Sequence, residues 1–155
     1  MKHLFLALAL GLIAPFGAAA YTIEQQDILD QYDEALLKSG LPCFAYELAL
    51  NIEAREIGLD PARSQQEELE FSVNALNIYM ATDMPELQLA EQLNENADLL
   101  RPTAQQVARL LKDRVPLDDP RYAPAREGSA PCGVMFDVLG ERTRWAMDND
   151  LHPIR

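Results

Sequence analysis

Two cysteines, Cys43 and Cys132, are the only ones in the chain, and they stand 89 residues apart. Each directly follows a proline, in "SGLPCFAYELAL" (Ser39 to Leu50) and "SAPCGVMFDVLG" (Ser129 to Gly140). Two cysteines allow a single intramolecular pairing. If they pair, most of the chain is closed into one loop, and few folds satisfy that constraint.

Whether they pair depends on compartment. The first twenty residues, "MKHLFLALALGLIAPFGAAA", begin with Lys2 and His3 and continue as an apolar run from Leu4 to Ile13. Pro15 and Gly17 break that run, and Ala18 and Ala20 form an A-x-A cleavage pattern. This is the anatomy of a secretory signal peptide. A membrane helix needs about 20 apolar residues, and this run is shorter. The sequence therefore predicts a leader over 1–20, cleavage near Ala20, and one helical domain over 21–155 without a membrane anchor. The expected location is a bacterial periplasm or the cell exterior. In such oxidising surroundings an even cysteine count reads as a disulfide. Redox motifs of the thioredoxin type place their cysteines two residues apart, so a Cys43–Cys132 staple is expected instead. The chain-entropy account gives such a loop about 4 to 5 kcal/mol.

The apolar residues recur at helical spacing almost throughout. Thr22 with Gln25 three residues on forms a capping box before Ile28, Tyr32 and Leu36. Gly40 is expected to close that helix, and Pro42 to open the next at a position where a missing N–H costs nothing. Gly58 is expected to end the second helix. Ser64 with Glu67 repeats the box before the stripe Leu69, Val73, Leu76 and Met80. A restart is expected after Pro85, capped by Asp83. Another is expected after Pro102, with Thr103 as cap and Gln106 at the box position. The segment 116–131, "PLDDPRYAPAREGSAP", holds four of the ten prolines and no apolar period. It is expected to be a long loop, and such loops are often functional. Met135, Val138, Leu139 and Arg142 then fit a last helix, although 134–139 alone also fits a buried strand. A polar tail follows over 148–155. The predicted fold is all-α: a compact bundle of about five or six short helices with one long-range disulfide and a Pro-rich loop before the last helix.

Composition bounds the function. The formal charge is −12, and loss of Lys2 with the leader would make it −13. A chain this acidic repels nucleic acid and anionic membranes and attracts basic partners. No cofactor or metal is expected. His152 would be the one histidine left after cleavage, and zinc needs several His or Cys ligands at short spacing. An EF-hand loop counted from Asn94 would place Leu99 and Gln105 where a glycine and a glutamate are required. No G-x-S-x-G elbow, H-E-x-x-H pair or phosphate-binding glycine loop is present. Asp118–Asp119 and the run Glu67, Glu68 and Glu70 offer carboxylates, but acid–base catalysis needs one of them buried enough to shift its pKa. The chain thus reads as a binding or inhibitory protein rather than an enzyme, with a basic protein as partner. One concrete form is an immunity-type protein that neutralises a periplasm-acting hydrolase. The alternatives are a small-molecule binder or sensor and, behind it, a carboxylate-dependent enzyme. Arg121, Tyr122 and Arg126, in the Pro-rich segment, are the candidate partner-binding residues, because Arg and Tyr are enriched at hot spots.

Overall fold

The computed structural model describes residues 21–60, 63–80 and 84–151, apart from the side chains of Tyr79 and Met80. The expected leader over 1–20, the Asp83 cap, the Met80 side chain, His152 and the end of the tail lie outside the described residues. Helices are the only regular elements among those described. They are α1 (Ile23–Glu56), α2 (Gln65–Met80), α3 (Glu86–Lys112), a 3₁₀ turn (Pro120–Tyr122) and α4 (Ala123–Asp148). The all-α bundle is as expected, but its helices are fewer and longer.

Local capping chemistry sets two of the starts. The Gln25 N–H donates to Thr22 Oγ1 at 3.1 Å, and the Thr22 N–H donates to Gln25 Oε1 at 2.9 Å. Ser64 and Glu67 make the same reciprocal pair at 2.6 and 3.2 Å before α2. Gly58 ends α1 as expected, with φ +76°. Its N–H donates to the Arg55 carbonyl, and the Leu59 N–H reaches back to Ala54. This is the Schellman pattern. The same pair of bonds closes α3 through Arg114 and Val115, and α4 through Asp150 and Leu151. There Arg114 and Asp150, not glycines, take the left-handed conformation, at φ 53° and 55°.

Three expected breaks are absent. Helix α1 runs unbroken through Gly40 and Pro42, and α3 runs through Pro102. A proline inside a helix costs about 3 kcal/mol, yet each fully buried leucine returns about 1.5 to 3 kcal/mol. Breaking α1 at Pro42 would misalign Leu36, Cys43, Ala45, Leu48 and Ala49, all buried in one cluster with Val73, Leu76, Leu89, Leu93 and Met135. Burial wins. Gly40 serves close packing rather than termination: a Cβ there would lie 3.0 Å from Leu76 Cδ2 and 3.3 Å from Met135 Sδ.

The expected 116–131 loop is also mostly helical. Pro120 opens the 3₁₀ turn, and Pro124 lies in the first turn of α4, where neither needs an N–H. Only Pro131 sits inside α4. Residues 134–139 are helix, which settles the strand alternative, and α4 continues to Asp148.

Helix α1 is the axis of the bundle and packs against α2, α3 and α4. Its buried residues accordingly surround it instead of forming one stripe. Two polar ties fix its neighbours. Arg142 of α4, only 2% exposed, meets Asp33 at 3.2 Å. Arg101 of α3 reaches Glu53 at 2.8 Å and Glu56 at 2.7 Å. The Cys43–Cys132 bridge is formed, with its Cα atoms 4.8 Å apart. It joins the middle of α1 to α4 well inside that helix. No described helix is long and apolar enough to cross a membrane.

Candidate functional site

The three candidate residues of the Pro-rich segment do not share one surface. Arg121 is folded back on Asp119 in a two-pronged pair, at 2.9 and 3.0 Å. That pair and the Arg121 N–H hold the Asp119 carboxyl down to about 2. Tyr122 is buried, and its hydroxyl donates to the Val115 carbonyl at 3.2 Å. Arg126 is exposed, on the rim of a shallow cleft of about 330 Å³ with Tyr46, Leu50, Leu117 and Tyr122.

A more distinctive arrangement adjoins this cleft, the two sharing Leu50 and Leu111. Cys43, Glu47 and Asn51 follow one another at i, i+4 and i+8, so they line one face of the helix. Glu68, Phe71 and Ala75 make the facing row on α2. The bridge brings Cys132, Met135, Phe136 and Leu139 of α4 to the same place. Together these rows enclose a groove with two connected ends. The apolar end, about 370 Å³, is lined by the disulfide, Phe44, Phe71, Met135, Phe136 and Leu139. The polar end, about 500 Å³, is lined by Asn51, Leu59, Asp60 and Leu111 among others. Glu47, Arg63 and Glu68 belong to both ends and stand at the junction.

The electrostatics of the junction are unbalanced. Arg63 lies over the Phe71 ring, 3.9 Å from its centroid, and meets Glu68 at 3.3 Å. Glu47 has no cationic partner among the described residues. Partial burial raises its pKa, and the neighbouring Glu68 charge raises it further. Asn51 is nearly buried, at 9% exposure. Its Nδ2 donates to the Arg63 carbonyl at 3.1 Å, which fixes the orientation of the amide, and its Oδ1 has no hydrogen-bond partner. Phe71 and Phe136 remain 44% and 64% exposed at the lips.

Two adjacent carboxylates can receive a cation or, where water is excluded, pass a proton. This groove is open, and Glu47 stands at its exposed edge, so charge pairing is the chemistry the geometry favours. No group of three or more His, Cys, Asp or Glu side chains able to hold a metal occurs among the described residues.

Sequence reasoning did not single out Glu47, Asn51, Arg63, Phe71 or Phe136. One signal was available. Once Cys43 and Cys132 are paired, Glu47 and Phe136, four residues beyond each, must project beside the same bridge. Compared with protein-family models, curated proteins and solved structures, the chain matches none.

Proposed function

We propose that this is an exported binding protein that captures a basic protein partner through the α1–α2–α4 groove. A concrete form is an immunity-type protein that occupies a hydrolase acting in the periplasm. One observation carries the reading: an open groove with aromatic lips and an acidic junction, in a chain of formal charge −12. Exposed aromatic side chains supply contact area, and complementary charge supplies steering and selectivity. Enzymes that hold polyanionic wall polymers need basic clefts, and those clefts fit this surface. The exposed Arg126 lies outside the groove and is a candidate for secondary contact.

The test is paired affinity capture from periplasmic extract, with the wild-type protein and a Glu47→Lys, Phe136→Asp variant as baits. A protein retained by the first bait, lost from the second and released by salt supports the proposal. Equal recovery on both baits, or none on either, argues against it. A groove of about 370 Å³ also falls in the range of small-molecule sites, which motivates the second reading, a ligand carrier or sensor. A non-covalent adduct retained in native mass spectrometry would favour that reading.

A further inference from the structure

We propose that the Cys43–Cys132 bridge is a redox latch across two helix joints. A dithiol that reduces it lets α4 hinge at Pro131 and loosens the wall of the groove, while the bundle stays folded. The latch is independent of what the groove takes up.

The two cysteines end matching segments, "SGLPC" (39–43) inside α1 and "GSAPC" (128–132) inside α4. Each holds the residues that weaken a helix. Pro42 and Pro131 supply no N–H, so the Lys38 and Glu127 carbonyls lose their usual i+4 donor. Glycine is the poorest helix former after proline. The Ser39 hydroxyl donates to the Ala35 carbonyl at 2.8 Å, and the Ser129 hydroxyl to the Arg126 carbonyl at 3.3 Å. Such back-bonding competes with the backbone ladder and bends helices. The bridge clamps these two weak places to each other. The packing around it is reciprocal: a Cβ at Gly40 would meet Met135, three residues beyond Cys132, and a Cβ at Gly128 would meet Tyr46, three beyond Cys43.

Helix α4 has its own anchor on each side of the joint. Before it, Tyr122 is buried and donates to the Val115 carbonyl. Beyond it, Arg142 meets Asp33 at 3.2 Å, and Trp145 stands 6.2 Å from Tyr32. Neither anchor uses the sulfurs, so cutting the bridge frees the joint and leaves the ends of the helix in place. Bending falls on α4 because α1 is enclosed by α2, α3 and α4. Met135, Phe136 and Leu139, just beyond the joint, line the apolar end of the groove, so a hinge at Pro131 alters its width. Both cysteines line that open end, and Cys132 is the less buried. A thiolate of the dithiol attacks one sulfur and displaces the other as a thiolate. The second thiol of the reagent then breaks the mixed disulfide and closes its own ring. Two electrons pass to the protein, both cysteines take up protons, and the dithiol leaves as a disulfide.

The test is NMR on the intact protein, before and after reduction with dithiothreitol in the absence of denaturant. Hinge motion falls on the microsecond-to-millisecond scale, which relaxation dispersion detects. The expected result is dispersion that appears on reduction over 128–136 and stays absent from α3 and from 142–148, with an unchanged far-UV circular dichroism spectrum. Pro131→Ala restores the missing N–H, so reduction of that variant should produce dispersion several-fold smaller. A bridge that dithiothreitol leaves intact in the native protein overturns the latch. Loss of the helical spectrum on reduction also overturns it, because the bridge is then a staple of the whole fold. Shifts confined to the neighbours of the two sulfurs, without dispersion, refute the joint. So does a Pro131→Ala protein that moves as readily as the wild type.

Discussion

Replacing Gly128 with alanine should destabilise the protein, whereas the same change at Gly133 or Gly140 should stabilise it. All three glycines lie within α4. A Cβ built at Gly128 would stand 2.6 Å from Tyr46 Cε2 and 2.8 Å from Cδ2. Carbon atoms in contact prefer about 3.5 to 4.0 Å, and Tyr46 is a buried ring. Relief therefore requires the ring to shift from its packed position or α1 and α4 to separate locally. Overpacking of this kind costs about 1 to 3 kcal/mol. At Gly133 and Gly140 the added carbon meets nothing within 4 Å. There only helix propensity acts, worth about 1 kcal/mol in favour of alanine. The propensity gain is common to all three sites, so it cancels when they are compared. The gap between Gly128→Ala and Gly133→Ala then measures the overpacking alone, about 1 to 3 kcal/mol. For a chain of this size that is a difference of several degrees in Tm. Urea unfolding followed by far-UV circular dichroism gives the free energies, provided the slope with denaturant is unchanged. If all three alanines stabilise alike, α4 does not approach Tyr46 as described.

Three further expectations follow from other parts of the molecule. Replacing both Cys43 and Cys132 with alanine should lose about 4 to 5 kcal/mol on the chain-entropy account, and a urea midpoint unmoved by reductant would contradict a formed bridge. Arg114→Gly should gain about 1 kcal/mol, because a left-handed residue other than glycine costs about 1 to 2 kcal/mol; a thermal melt that falls instead would show that the Arg114 side chain matters more than its backbone. Asp119, held down to about 2, contributes stability that is present above the ordinary carboxylate value and is lost as pH falls through about 2; a carboxyl carbon NMR titration with a midpoint near the usual 3.9 would refute its pairing with Arg121.

The parts of the fold legible in the sequence were those governed by neighbours along the chain. The Thr22 and Ser64 boxes and the Gly58 end each depend on side chains or backbone bonds within five residues. Pro42 and Pro102 misled because proline breaks a helix only when nothing outweighs the missing bond, and that balance is struck by residues distant in sequence. Gly40 misled in the same way: the side chains that need its small size, Leu76 and Met135, lie 36 and 95 positions later. The disulfide was legible because two cysteines have only one partnership available. The groove was not, since Glu47 and Glu68 resemble any surface carboxylates until α1, α2 and α4 converge on them. Tyr122 likewise reads as a surface anchor in a proline-rich stretch, and only its bond to Val115 and its burial show a core residue.

The central place of α1 has a consequence for the order in which the molecule can assemble. Among the described helices, α1 is synthesised before those that cover it, and α4, which carries Cys132, is synthesised after α2 and α3. Until then the residues that will form the middle of the core have little to shelter against, and the bridge has no second half. The design resembles a clasp whose catch is at the far end: nearly the whole strand must be present before it shuts.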